Sequence, residues 1–500
     1  MRRQAANGAE RKKTMRRMAG YAAAVLAAAL LLGGCGQPAE QEGVRLDPKH
    51  PVNITVWHYY NSAQQVAFDE LVERFNATEG AERGIFVEAH SQGNVTDLEG
   101  KVLDAFNKVV GSEAPPDIFS SYADTAYAIE KMGYLVDLEQ YMTEEELAGY
   151  VDSFVEEGRI GENGELRIFP TAKSSEIFML NKTAWDAFSA ATGAQLDQLE
   201  TREGLAATAQ QYYEWTDGLT PDTANDGKAF YGRDAMANLF IIGSQELGAE
   251  LLHVEGQQVE LQVDTEVMRR LWDFYYVPYV NGWYSAYGRF RADDVKLGEI
   301  VAYTGSTASA LYFPDEVETA NGAQQVDYLV LPDPAFQGAK PCAVQQGAGM
   351  VVTKSTPERE YAAVEFLKWF TQKTNNVAFA CTAGYLPVKK EALDRQVLDS
   401  MIAENDLEVT DKTYDSLVTC FELAKTRELY TSKAFDNGAA VRKVLEYNLA
   451  DKAAADRELV KQRLAGGQGL AEATADLTSE AAFSEWLGQF EAALHEAAGK

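Results

Sequence analysis

Histidine and cysteine are scarce in this chain, five and four in 500 residues, and their scarcity removes most of the chemistry that needs them. His50, His58, His90, His253 and His495 are scattered, and neither CxxC nor HExxH spacing occurs, so no metal site or redox dithiol can be assembled from the sequence. A GxSxG elbow and a GxxxxGKS/T phosphate loop are also missing, and no nucleophile–base pair is marked; no enzyme activity and no cofactor are expected. Basic residues are in deficit as well, 45 Lys and Arg against 76 Asp and Glu, for a formal net charge of −31. That sign repels nucleic-acid phosphate and anionic lipid, which excludes nucleic acid as a partner. Carboxylates this abundant leave a glycosidase-type pair open in principle, but no motif marks one.

What the chain does have begins at its N-terminus. Seven basic residues between Arg2 and Arg17 precede an apolar run from Tyr21 to Leu32, the pattern of a secretory signal peptide and too short for the roughly 20 residues of a spanning helix. Leu32-Gly33-Gly34-Cys35 follows and resembles the bacterial lipobox, so residues 1–34 are expected to be removed and Cys35 to carry lipid. Residues 35–50, rich in Gly, Pro, Gln and Glu, read as a flexible tether from a membrane on its extracellular (or periplasmic) side. The remaining Cys342, Cys381 and Cys420 permit one disulfide, and equally permit three reduced thiols.

From Asn53 onward strands and helices alternate. ITVWHYY and IFVEAH are strand-like, VAFDELVERFN and LEGKVLDAFNKVV helical, and PPDIFSSY is a third strand; EIFMLNK and the aromatic helix Val267–Val280 continue the pattern. Such alternation predicts an α/β protein with mostly parallel sheets in two lobes. RIFPTAKSS at 167–175 and DYLVLPDPAF at 327–336 read as crossings between lobes, and the chain past Lys389 is largely helical with a break at 466–469.

The loop from Asp222 to Asp234 partly imitates a calcium loop, but Ala224 stands where a ligand is required and Arg233 at the bidentate position. More telling are aromatic and small polar residues at expected strand ends and crossings: Trp57 to Tyr60, Tyr122 with Asp124, Ser174 to Glu176, Trp283, Tyr284, Tyr287, Gly305 to Thr307, Gln345 to Gly349, and Tyr385. Ligands bind outside the carboxyl ends of strands in α/β sheets, and aromatics beside polar groups suit sugar faces.

ITVWHYYNSAQQVAFDELVERFN, PPDIFSSYADTAYAIEKMGYLVDLEQY, IFPTAKSSEIFMLNKTAWD, GSTAS, QQGAGMVV, AAVEFLKWFTQ and TAGYLPV, in this order behind a lipobox, resemble the extracellular solute-binding proteins, family 1, of bacterial ABC importers, the group that includes maltose-binding and glycerol-3-phosphate-binding proteins. The resemblance implies a periplasmic-binding-protein-like clamshell with a multi-segment hinge, lobe 1 from 51–172 and 342–387, lobe 2 from 173–341 and 388–500. It implies ABC permease subunits as partners and a sugar, oligosaccharide or polyol as ligand. Carried over by position, the cleft residues are Tyr59, Tyr60, Tyr122, Asp124, Ser174, Ser175, Ser306, Thr307, Gly347, Gly349 and Tyr385. A phosphate ligand would need a basic group, for which Lys433 or Arg442, or Arg289 and Arg291, are the available residues, none at a clear match. A surface glycan adhesin or receptor, and less readily a lipid-anchored glycoside hydrolase, are the alternatives.

Overall fold

Branched and aromatic residues make Val52–His58 a strand, β1, with Ile54 and Val56 fully buried on one face and Trp57 closed over on the other. The helix Ser62–Ala77 turns Phe68, Leu71, Val72 and Phe75 inward at spacings of three and four. It leads to β2 (Ile85–Ser91), parallel to β1 from Val52↔Ile85 to His58↔Ser91. A reciprocal Asn94–Asp97 capping box opens the helix Val95–Phe106, and β3 (Ile118–Ser121) then pairs parallel with the other side of β1. β4 (Ile168–Phe169) and β14 (Gly349–Val352) complete a sheet ordered β2-β1-β3-β14-β4, in which only β14 runs against its neighbours.

The computed structural model describes residues 44–500 apart from Gln257, Ala320 and Asn321; the signal segment, Cys35 and tether residues 35–43 lie outside the described residues. Leu46–Lys500 form one compact unit. Within it a second sheet, ordered β12-β5-β9-β6, is built from β5 (Glu176–Asn181), β6 (Tyr231–Arg233), β9 (Ala302–Ser306) and β12 (Tyr328–Pro332). The expectation of a mostly parallel sheet fails here: only β6 and β9 are parallel. The reason is the entry point, since β5 starts at the crossing and runs away from it while β9 ends there, placing Glu176 beside Ser306. DYLVLPDPAF is likewise not a crossing but the edge strand β12, paired from Tyr328↔Asn181 to Pro332↔Ile177; an edge tolerates the proline that a central strand would not. Two hairpins, β7–β8 (Leu252–Glu255, Gln258–Leu261) and β10–β11 (Glu316–Thr319, Gly322–Gln325), decorate this body.

Each sheet has its own core. Around the first pack residues such as Phe68, Phe75, Phe119, Phe366 and Phe370; around the second, the helix Thr265–Asn281 contributes Trp272, Phe274, Tyr275, Tyr276 and Tyr279, all buried. The C-terminal helix Glu480–Ala497 is fastened to the same core by Trp486, 5.1 Å from Trp272 between ring centres, and by Phe490, stacked 5.0 Å from Phe240. β13 (Cys342–Val344) pairs with β15 (Glu428–Tyr430) and buries Cys342 and Val344 in the second core, so the return toward the first sheet starts at Gln345, three residues past 342. Cys342, Cys381 and Cys420 are buried and no two of them are bonded to each other; burial pushes the Cys342 thiol up to about 11 and the Cys381 thiol up to about 12.

Three segments run between the sheets and bond to one another. Lys173 N–H donates to the Leu386 carbonyl (3.1 Å), and Ser174 and Gln346 exchange backbone bonds of 2.8 and 3.0 Å. Of the 167–175 segment read as a crossing, Ile168–Phe169 form β4 of the first sheet, and residues 170–175 run from it to β5. Lys173, almost fully buried, donates to Glu157 (2.7 Å) and to the Gly347 carbonyl (2.6 Å), tying two crossings to the first lobe. Gly347 has φ +92°, and a Cβ there would meet the Ala172 carbonyl at 2.9 Å, so its conformation and its close approach both require glycine.

Candidate functional site

The helix Val95–Phe106 after β2, the segments after β3 and β6 and the start of the helix Gly438–Ala465 converge on a crevice between the two sheets. A chamber of about 410 Å³ is walled by Glu99, Tyr122, Asp124, Ala235, Asn238, Gln346, Arg442 and Tyr447, among others. A second chamber of about 590 Å³, reaching Tyr127, Arg159 and Tyr430, shares Glu157, Gln345, Thr431 and Ser432 with the first. The crevice thus runs as a groove rather than a single pit.

Of the residues expected at the site, Tyr122 and Asp124 line the chamber, as do Gln345 and Gln346 from the flagged Gln345–Gly349 stretch. Tyr59, Tyr60 and Tyr385 form an aromatic bank behind Tyr122: the Tyr59 and Tyr122 rings stack at 6.5 Å, and Tyr60 and Tyr385 lie 6.0 Å apart. All three are at most 7% exposed, and burial, followed by Tyr385, raises the Tyr59 pKa well above 10. Ser174 and Ser175 sit in the crossing, the Ser175 hydroxyl buried without a partner among the described residues. Ser306 caps its own turn by accepting from Ala308 N–H, and Thr307 is wholly buried. Gly349 lies in β14 opposite Ser121, where a Cβ would strike Ile168 and Phe169. Tyr284 packs on Tyr231 and Phe274 in the second core, away from the groove. In the loop that imitated a calcium site, Asp226 accepts from Thr220, and Arg233 turns inward to Glu176 (2.8 Å).

Sequence reasoning missed Glu99, Asn238, Ala235 and Tyr447, and weighed Arg442 only as a phosphate ligand. Asn238 left one signal, a polar residue inside the apolar run MANLFIIG. Ala235 has a left-handed backbone (φ +50°) that non-glycine residues rarely adopt, and it sits in the chamber wall at the start of the helix Met236–Glu246, whose first N–H groups donate to Glu446 (3.3 and 2.9 Å).

Charges of both signs meet in the chamber. Asp124 makes no hydrogen bond among the described residues; burial first, opposed by Arg442 and reinforced by Glu99, lifts its pKa to about 6. Burial also raises Glu99, against the pull of Lys443 and Arg442. Gly438 starts the long helix beside Asp124, where a Cβ would lie 2.3 Å from the carboxylate. Nearby, Lys131 and Asp436 pair at 2.6 Å across the crevice. Free carboxylate oxygens, a guanidinium, side-chain amides and tyrosine rings can together accept from, donate to and stack on a polyhydroxylated molecule. They form no nucleophile–base couple, and no three His, Cys, Asp or Glu side chains converge as a metal cluster among the described residues.

His58, fully buried where β1 enters the aromatic bank, accepts the Tyr60 N–H on Nδ1 (3.2 Å), so its proton sits on Nε2, which has no partner among the described residues. Burial, then His90, holds its pKa down at about 4. The unfolded chain takes up this proton near pH 6.5 and the folded one only near 4, so the stabilisation is complete above pH 6.5 and is lost as pH falls through that window, by about 3 kcal/mol in all. Urea denaturation of wild type and His58→Phe at pH 7 and pH 4.5 should show a stability difference shifting toward the variant at the lower pH; parallel pH profiles would contradict it.

Architecture and groove together define a two-lobe, maltose-binding-protein-type binding protein. The fold is shared with the cyclic α-maltosyl-1,6-maltose binding protein of Arthrobacter globiformis (18% identity, TM-score 0.60, covering 90% of this chain and 99% of that one) and with UgpB of Mycobacterium tuberculosis in complex with glycerophosphocholine (20%, 0.60, 89% and 99%). It is also shared with an ABC substrate-binding protein of Listeria monocytogenes in complex with cycloalternan (14%, 0.62, 90% and 99%). No curated protein matches at the sequence level. The bacterial extracellular solute-binding protein profile matches residues 70–409, and the chain belongs to that family. Among the described residues no helix is long and apolar enough to cross a membrane.

Proposed function

We propose that this chain is the substrate-binding lipoprotein of an ABC importer, which captures a sugar, oligosaccharide or polyol in the groove and delivers it to membrane permease subunits. The observation that carries this reading is the groove itself: an elongated, two-chamber space between the sheets, lined by Tyr122, Tyr447, Asp124, Glu99, Arg442 and amide side chains. Lobe 1 would comprise 51–172 and 345–387, lobe 2 173–344 and 388–500, hinged on the three bonded crossings. Tyr122 and Asp124 would touch ligand, with Tyr59, Tyr60 and Tyr385 supporting Tyr122 and the Ser174, Ser175, Gly347 and Gly349 positions serving the hinge. The neighbours' ligands support a carbohydrate or a glycerol-based polyol. Ligand would favour the closed arrangement of the lobes, and the permease would read that state.

A thermal-shift panel of mono- and oligosaccharides, polyols, glycerol phosphates and amino acids, run on the chain lacking residues 1–35, tests the reading. A ligand that binds only the native state raises the melting temperature. A shift with one sugar or polyol class is expected, and shifts only with amino acids would overturn it. The lipid anchor has its own test: Cys35→Ala should move the protein from the membrane fraction to the soluble one, and unchanged retention would contradict lipidation.

A further inference from the structure

We infer that Asn238 is a positioning residue, which fixes the Arg442 guanidinium in the chamber wall through a one-way hydrogen-bond chain running back to the hinge. The inference rests on reading the groove as the ligand site. Asn238 is 1% exposed and belongs to the helix Met236–Glu246. Its Nδ2 donates to Glu176 Oε1 (2.9 Å) and to Gln346 Oε1 (3.0 Å), and its Oδ1 accepts from Arg442 Nη2 (2.8 Å).

The direction of this chain is forced by chemistry. Arginine only donates, so the atom facing Arg442 must be the amide oxygen, and the amide nitrogen must then face Glu176 and Gln346. Gln346 is fixed in turn, because its Nε2 donates to the Ser175 carbonyl (3.1 Å) and only its oxygen remains for Asn238. Ser175 lies in the first crossing and Gln346 in the second, so Arg442, 204 residues further along the chain from Asn238, is indexed to the hinge through one buried amide. Beneath the chain, Arg233 holds the other oxygen of Glu176 (2.8 Å), which leaves Oε1 turned to Asn238. Arg442 is itself exposed on its helix, so without this anchor its long side chain is free to sample other rotamers.

Asp124 is a built-in reporter of where the guanidinium sits, because Arg442 lowers its pKa while Glu99, the other charge acting on it, raises it. Carboxyl NMR titration of the ligand-free protein is the test. Arg442→Gln should raise the Asp124 pKa by about one unit. Asn238→Ala should raise it by at least half as much, with Asn238→Ser as the milder variant if alanine fails to fold, and the Asn238→Ala/Arg442→Gln double variant should rise no further than Arg442→Gln alone. A folded Asn238 variant in which Asp124 titrates as in wild type would overturn the inference, as would fully additive rises. A merely structural role of Asn238 would not reproduce the effect of removing Arg442. The readout needs no ligand, so a panel without a sugar binder would defeat the functional reading and leave this one standing, and the reverse also holds. With a sugar that binds, Asn238→Ala should lower affinity about tenfold in wild type and not in an Arg442→Ala background.

Discussion

Arg442→Ala should weaken binding of the sugar found in the panel by about 10- to 100-fold, and Asp124→Asn by a similar factor, each read by calorimetric titration. A hydrogen bond to a charged group contributes about 1.5–3 kcal/mol, and every 1.4 kcal/mol is tenfold in affinity. Asp124 is the stronger case, because its carboxylate is desolvated and carries no hydrogen bond among the described residues before ligand arrives. Its titration adds a pH signature. The folded protein holds this proton up to about pH 6 and the unfolded chain only to about 3.8, so the group's contribution to the stability of the free protein falls as pH rises through that window. A ligand hydroxyl donating to the ionised carboxylate offsets that loss, so sugar affinity should be greatest above pH 6 and decline toward pH 5. Asp124→Asn should flatten the decline, and a wild-type affinity constant from pH 5 to 7.5 would contradict a direct contact.

The largest effect on stability should come from Glu176→Ala. Glu176 and Arg233 are both at most 4% exposed and bond at 2.8 Å, and burial raises the Glu176 pKa against the opposing pull of Arg233. Removing one member of such a pair strands the other charge in the interior, a loss of about 3–5 kcal/mol, whereas replacing both by apolar residues of similar size is often close to neutral. Urea denaturation of Glu176→Ala should show that loss, and Glu176→Leu combined with Arg233→Met should recover most of it. A single variant within about 1 kcal/mol of wild type would show that Asp333, which also acts on Arg233, already balances it.

The first three strands of the first sheet were legible in the sequence because they belong to contiguous βαβ units marked by periodicity and β-branching, with β2 and β3 pairing on either side of β1. The second was less so, since direction in β5 and β9 is set by where the chain enters from the hinge, a long-range fact that local pattern does not encode. The prolines of DYLVLPDPAF mark an extended segment but cannot say whether it crosses or edges a sheet. The groove shows the same division. Tyr122 and Asp124 follow a strand end and were legible from that rule, whereas Arg442 and Tyr447 reach the chamber from a helix more than 300 residues away, and Asn238 is a single polar residue in an apolar run that no local pattern ties to the groove. Gly347 approaches the backbone of the first crossing and Gly349 that of β4, a close packing that glycine in a sequence does not by itself distinguish from ligand approach.

The measurement that bears most directly on the account is amide hydrogen exchange of the protein with and without the sugar that raises its melting temperature. Protection is expected on both sides of the groove at once, in 95–99 and 122–125 from one wall, 235–238 and 438–447 from the other, and 345–347 at the hinge. Protection confined to one lobe, or centred on the separate crevice around Tyr287 and Lys461, would contradict the groove as the binding site.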